Sequence, residues 1–180
     1  MRKKKNKRFE TKAVRTQIAR TQAMEHASPL YLTSSFMFDN AEEMRAAFAD
    51  EKEANIYSRF SNPNVQEFTD KMCALEGAQA GYAAASGMAA VFASMIALLK
   101  TGDHLLSCSS IFGSTHTVLS KFFPKWGIEH SYFDIQKPES IEKLIKKNTK
   151  MLFVETPSNP GLDIIDLELL GKIAKKHKIL

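Results

Sequence analysis

Apolar positions along the chain fall into two regimes. Over residues 1–40 the clusters Pro29-Leu30-Tyr31-Leu32 and Phe36-Met37-Phe38 have no long helical period, which predicts an extended N-terminal arm lying on its own domain or on a partner. Asp39 or Asn40 can cap a short helix over 41–49, with Glu42 and Glu43 in the first turn, where the helix dipole favours negative charge. Residues 51–62 read as a loop. Asn62-Pro63 is a start signal, a capping side chain followed by proline at the first helical position. Val65, Phe68, Met72 and Leu75 follow at helical spacing, and Gly77 ends that helix.

From Gly77 onward short apolar strands alternate with helices. The pattern predicts strands over 80–85, 104–108, 128–133 and 151–154, and helices over 87–99, 114–123, 139–147 and 166–177. Such alternation predicts an α/β fold with an open, mostly parallel sheet. The division expected is an arm with its short helix over residues 1–50 and an α/β domain over 51–180. The helix over 87–99 is apolar nearly all round and is expected to be buried. Ile179-Leu180 opens a further apolar run that has no sequel. Strands usually run ~5–6 residues, so the α/β domain is expected to be incomplete.

Composition narrows the function classes. The chain has 180 residues, 44% hydrophobic and 25% charged, a globular balance. Its net charge of +5 suggests nucleic acid until the charge is placed along the chain. Residues 1–20 hold nine Lys and Arg against Glu10 alone, so residues 21–180 sum to −3. The basic excess is a tail, expected to be solvated, and no nucleic-acid partner is expected. No segment approaches the ~18 apolar residues of a membrane span, and no apolar stretch follows the charged start as in a secretory signal. Cys73 and Cys108 form no C-x-x-C pair, and the five histidines show no ligand spacing. Buried thiols in a reducing cytoplasm are expected, with neither a disulfide frame nor a metal site.

Ligands of open α/β sheets bind beyond the carboxyl ends of the strands, so the residues after each strand are the candidates. Ser86-Gly87-Met88 follows the first. Ser86 can cap the next helix, Gly87 allows close backbone approach, and the free amides suit an anion such as phosphate. Strand followed by Ser-Gly and helix also occurs as plain architecture. Phe112-Gly113 follows the second strand and could stack on a flat ring or simply pack in the core. After the strand at 151–154 come Glu155 and Asn159, in a loop stiffened by Pro157 and Pro160. Upstream, Tyr57 and Arg59 lie two apart, so on an extended segment they face the same way and can clamp a phosphate. His116 is the histidine nearest a candidate site.

Together these clusters resemble the cystathionine synthase and lyase family, the pyridoxal-phosphate enzymes of transsulfuration. The resemblance runs over residues 9–180 and includes Thr11–Arg15, Pro29–Phe36, Tyr57–Pro63, Ala85–Ala90 and Glu155–Pro160. It implies the large domain of the aspartate-aminotransferase-type fold (fold type I), pyridoxal 5'-phosphate as cofactor, and a cytoplasmic homodimer or homotetramer at full length. Carried over by position, it implies that Gly87 and Met88 offer amides to the cofactor phosphate with Ser86 alongside. Tyr57 and Arg59 would reach that phosphate from the neighbouring subunit. Phe112 would stack on the ring, Asn159 would bond near its ring oxygen, and Glu155 would support the site. The lysine that holds the cofactor as a Schiff base, and the Asp that pairs with the ring nitrogen, are expected beyond Leu180; no catalytic residue is assigned within the chain, which alone is expected to be inactive.

Many members carry Tyr where this chain has Phe112, which removes a proton-handling hydroxyl and keeps the stacking face. Phe here resembles the O-succinylhomoserine sulfhydrylase branch. That implies replacement of the γ-succinate of an activated homoserine ester by sulfide, giving homocysteine. Cystathionine γ-synthase, with cysteine as the thiol, and a γ-lyase of the same family are the alternatives. A short chain that binds a partner subunit without catalysis is an alternative of another class.

Overall fold

The computed structural model describes residues 7–180 and divides into two compact units that meet at Ala83–Ala84. Residues 1–6, with much of the basic tail, lie outside the described residues.

The first unit holds three helices: α1 (Phe9–Arg15), α2 (Ala41–Phe48) and α3 (Pro63–Glu76). Helix α1 interrupts the arm expected to be extended throughout, and it packs against α3. Its apolar residues are too few to show a period over seven positions. Asn40 caps α2, its Oδ1 accepting the Glu43 N–H at 2.9 Å. Asn62 caps α3, Pro63 takes the first helical position, and Gly77 closes the helix at φ +69°. Beyond α1 the arm is tied down by polar side chains of α3. Asn64 Oδ1 accepts the Tyr31 N–H at 2.8 Å, and its Nδ2 donates to Pro29 O at 2.8 Å. The Glu67 carboxylate accepts the Ile18 N–H at 3.1 Å and the Ser28 hydroxyl. The apolar stripe of α3 stays largely exposed at Val65, Phe68 and Met72.

The second unit is a three-stranded parallel sheet flanked by helices. Strands β1 (His104–Cys108), β2 (Glu129–Phe133) and β3 (Thr149–Phe153) lie in the order β2-β1-β3. The interposed helices are α4 (Gly87–Ile96), α5 (Gly113–Thr117), α6 (Ile141–Leu144) and α7 (Leu167–His177). All five residues of β1 are buried. The core gathers around it from α4 (Met95), the segment after α5 (Leu119, Phe123), α6 (Ile141) and α7 (Leu170, Ile173). Leu180 bonds to β3 in both directions, Leu180 N to Lys150 O at 3.0 Å and Leu152 N to Leu180 O at 2.7 Å, so the run that opens at Ile179 joins the sheet beside β3.

Further expectations change. The helix expected over 139–147 is a 3-10 turn (Pro138–Ser140) followed by the four-residue α6. Residues 80–85 form no ladder; Gly81 and Ala83-Ala84-Ala85 offer little side-chain surface to a sheet face, and Tyr82 is 88% exposed. Helix α4 is not buried all round: of the stretch expected to be covered only Met95 and Leu99 are, and Ile96 and Leu98 are exposed, because only part of its apolar circumference meets the core. The helix expected over 114–123 is α5 followed by a π-helical turn (Val118–Phe122) and a 3-10 turn (Phe123–Trp126). Pro124 lacks the N–H that an α-helix would need there. Gly127 ends the segment at φ +68°, where a Cβ would also come within 2.8 Å of Thr101 Cγ2. The indole of Trp126 meets Phe92 of α4 edge-on, ring centres 5.9 Å apart.

His104 is fully buried at the amino end of β1. Its Nδ1 lies 2.8 Å from Thr149 Oγ1, which accepts the Lys146 N–H at 2.7 Å, and its Nε2 lies 3.0 Å from Ser131 Oγ. Burial, helped by the charge of Lys146, pushes the imidazole pKa below its ordinary value. His130 shifts the same way, also mainly through burial. The unfolded chain therefore binds protons more readily than the folded one once the pH falls below about 6.5. Stability is expected to decline as the pH falls through about 6.5, where the unfolded imidazoles take up protons that the folded ones resist. Chemical denaturation on either side of that pH checks this, and His104→Gln should flatten the decline.

Candidate active site

Because β1 and β3 are parallel neighbours, their carboxyl ends lie on the same edge of the sheet. Cys108 ends β1 and leads through Ser109–Ile111 to Phe112, while Phe153 ends β3 and leads to Glu155. The two loops are joined there: the Glu155 carboxylate accepts the Phe112 N–H at 2.9 Å, capping the start of α5. Helix α4 is joined to the same place. Thr115 Oγ1, buried in α5, donates to Met88 Sδ at 3.9 Å. The structure thus brings Met88, Phe112 and Glu155 together, with Ser86 and Gly87 in the turn before Met88.

Ser86 Oγ caps α4 by accepting the Ala89 N–H at 3.2 Å. The Gly87 and Met88 amides come too early in the helix to have carbonyl partners inside it. Nothing lies within 4 Å of the place a Gly87 Cβ would take, so the backbone at Gly87 is open to close approach. Phe112 is 42% exposed rather than sunk in the core.

Asn159 stands exposed in a loop that closes on itself. Ser158 is buried; its hydroxyl donates to Asp163 Oδ2 at 2.8 Å and accepts the Asp163 N–H at 2.9 Å. Thr156 Oγ1 accepts the Ile165 N–H at 3.1 Å. The loop is tight enough that a Cβ at Gly161 would fall 2.7 Å from Asp163 Oδ2. Among the described residues the Asn159 side chain makes no hydrogen bond, so no bond ties it to Phe112 or Glu155. His116 is engaged elsewhere, its Nδ1 2.8 Å from the Tyr132 hydroxyl of β2.

Tyr57 and Arg59 belong to the first unit. The segment expected to be extended is a turn, with the Phe60 and Ser61 amides donating to Tyr57 O at 2.8 and 3.0 Å. The two side chains still meet: the Arg59 guanidinium lies 5.0 Å from the centre of the Tyr57 ring and 5.8 Å from that of Phe60. Among the described residues no carboxylate or carbonyl accepts from it. Asn62, legible only as a helix cap, also holds this turn: its Nδ2 donates to Ser58 Oγ at 3.0 Å and to Tyr31 O at 3.1 Å. The supporting roles of Asn62, Thr115, Ser158 and Asp163 left no signal in the sequence beyond polar residues in loops and first turns.

Residues 10–180 match the family described as Cys/Met metabolism PLP-dependent enzyme. The chain belongs to this family. Among curated relatives, it is 42% identical over 92% of its length to the O-succinylhomoserine sulfhydrylase of Pseudomonas aeruginosa. It is 39% identical over 82% of its length to the L-methionine gamma-lyase of Fusobacterium nucleatum. The chain spans about two-fifths of these relatives, 41% and 38% of their lengths. Among solved structures, a candidate O-acetylhomoserine (thiol)-lyase of Campylobacter jejuni, which carries N'-pyridoxyl-lysine-5'-monophosphate, superposes with a TM-score of 0.89. The match has 37% identity and covers 97% of this chain and 43% of that one. The cystathionine gamma-lyase of Lactobacillus plantarum complexed with L-serine superposes at 0.84, with 27% identity over 97% of this chain and 43% of that one.

Membership in the Cys/Met metabolism PLP-dependent family establishes the fold as a part of the fold type I large domain and pyridoxal 5'-phosphate as the family's cofactor. Among the described residues no helix is long and apolar enough to cross a membrane, and no cluster of three metal-ligating side chains occurs.

Cys108 lies under this site, fully buried at the end of β1. Burial pushes its thiol pKa up, and the Glu155 charge adds to the shift. Cys73, on α3, is only partly buried. A thiol reagent at neutral pH is expected to label Cys73 within minutes and to spare Cys108 until denaturant unfolds the second unit, as peptide mapping of the adducts will show.

Proposed function

We propose that this chain supplies the cofactor-binding part of a pyridoxal-phosphate enzyme that replaces the γ-substituent of an activated homoserine ester, O-succinylhomoserine, with sulfide to form homocysteine. The observation that carries the cofactor assignment is the joining of the α4 start to Phe112 and Glu155 through the Met88–Thr115 and Phe112–Glu155 hydrogen bonds. The residues fit the cofactor's two ends. The Gly87 and Met88 amides, without carbonyl partners inside the helix and beside the Ser86 cap, suit its phosphate. The half-exposed Phe112 side chain suits its ring.

When bound, pyridoxal phosphate supplies an electron sink for carbanion chemistry. The protein's part is to bind and orient it. Ser86, Gly87 and Met88 would hold the phosphate, Phe112 would stack on the ring, and Asn159 would donate to the ring oxygen from its self-closed loop. Glu155 would hold the Phe112 backbone in place rather than touch the reacting atoms. Tyr57 and Arg59 would close on the phosphate of a neighbouring subunit in a cytoplasmic homodimer or homotetramer. Phe112, with no hydroxyl, cannot handle a proton, which leaves proton transfer to groups other than this ring.

The preference for O-succinylhomoserine and sulfide is supported by the likeness to O-succinylhomoserine sulfhydrylases and by Phe112. A second reading, γ-elimination, is supported by the likeness to methionine gamma-lyases over 82% of the chain. The full-length protein with cofactor, given O-succinylhomoserine and sulfide, is expected to release homocysteine and succinate. Release of an oxoacid, ammonia and a thiol from methionine, without homocysteine synthesis, would establish the elimination reading instead. Arg59→Ala is expected to weaken cofactor binding by ~10–100-fold, the range for a lost charge-assisted hydrogen bond. An unchanged cofactor affinity would remove Arg59 from the site.

A further inference from the structure

We propose that Asn62 is a positioning residue for the cofactor phosphate, because its buried amide ties the Tyr57–Ser61 turn to the arm and to the first turn of α3 at once. The inference rests on the reading of Tyr57 and Arg59 as a phosphate clamp and adds to it the group that sets the clamp's reach.

The hydrogen bonds of the amide are distinct in direction and purpose. Oδ1 accepts the Asn64 N–H at 2.9 Å, which is the helix cap. Nδ2 donates to Tyr31 O at 3.1 Å and to Ser58 Oγ at 3.0 Å. The Ser58 hydroxyl donates onward to Thr33 O, and the Ser58 N–H donates to Ser34 O at 2.8 Å. Ser58 lies between Tyr57 and Arg59, so this chain of bonds fixes the backbone from which both clamp side chains project. Asn62 is only 8% exposed and its two donors are both used. A buried amide with both donors paired leaves the turn one low-energy placement.

Arg59 itself has no such anchor. Among the described residues it is held by ring faces alone, which restrain its plane and leave its N–H groups directed at no acceptor. Where the guanidinium can reach is therefore set by the turn beneath it, and the turn is set by Asn62.

Aspartate at this position separates the two roles. Asn62→Asp keeps the oxygen that caps α3 and turns the donor edge into an acceptor facing Tyr31 O. Ser58 could then satisfy it only by leaving Thr33 O. Ser58→Ala cuts the same link from the other side and leaves the cap and the Tyr31 bond intact.

The test compares pyridoxal 5'-phosphate with pyridoxal, which has the ring and no phosphate. Affinities of the full-length apoprotein for each are measured by absorbance titration for wild type, Asn62→Asp, Ser58→Ala and Arg59→Ala. Asn62→Asp and Ser58→Ala are expected to weaken the phosphorylated form about tenfold and to leave pyridoxal within about twofold of wild type, the selective pattern Arg59→Ala shows more strongly. Equal weakening of both forms by Asn62→Asp and Ser58→Ala would mark a general loss of fold and overturn the inference. Selective weakening by Arg59→Ala alone would overturn it and leave the clamp standing. No effect of Arg59→Ala on either form would overturn the clamp and the inference together. If Asn62→Asp does not fold, Ser58→Ala alone decides.

Discussion

Strand β1 is hydrogen-bonded on both sides and buried at every position, and the site of its unit depends on that placement. A parallel neighbour on each side forces the connections to cross over through helices and brings the carboxyl ends to one edge. The loops after β1 and β3 must therefore emerge side by side, and the Phe112–Glu155 hydrogen bond makes use of that proximity. The shape of the core is set by the same strand, since Leu105, Leu106 and Cys108 present surface on which α4, α6, α7 and the π-helical turn converge.

The first unit is organised on the opposite principle. Ala47, Asn62 and Thr69 are its buried residues among those described, and two of the three are polar. What orders the arm is a row of side chains on one end of α3, with Asn62, Asn64 and Glu67 taking backbone groups of residues 18–31 that have no ladder of their own. Each such bond contributes only about 1 kcal/mol, and those to the carboxylate somewhat more. The Ser28 hydroxyl, and after it the Ile18 amide, hold the Glu67 carboxyl below the usual carboxylate range, so the arm is tied most firmly where charge is involved.

The contrast explains what could be read in advance. Periodicity reports apolar burial, so the helices and the three paired strands were legible to within a few residues, as were the capping roles of Asn40, Asn62 and Ser86. The strand expected over 80–85 failed because an apolar run does not say whether a partner exists. Helix α1 was missed because seven residues carry too little pattern, and the π and 3-10 turns because Pro124 signals an interruption and not its geometry. At the candidate site, strand-end logic singled out Phe112 and Glu155, which follow β1 and β3 at the edge their parallel pairing sets, whereas Ser86, Gly87 and Met88 follow a stretch that forms no ladder and are joined to α5 by the Thr115–Met88 bond. The bonds that steady them, Thr115 to Met88 and Ser158 to Asp163, join side chains whose meeting depends on the folded path of loops.

The indole of Trp126 has an optical consequence. It is the chain's one tryptophan, and it shares an open apolar groove with Phe92 and with Met88, the last residue of the Ser86–Met88 turn. Indole emission shifts with the polarity of its surroundings, and this ring rests against the helix whose first turn carries the Gly87 and Met88 amides. The fold has thus placed a native fluorophore beside its own candidate phosphate cradle, so that movement of α4 carries a spectroscopic signature without any label.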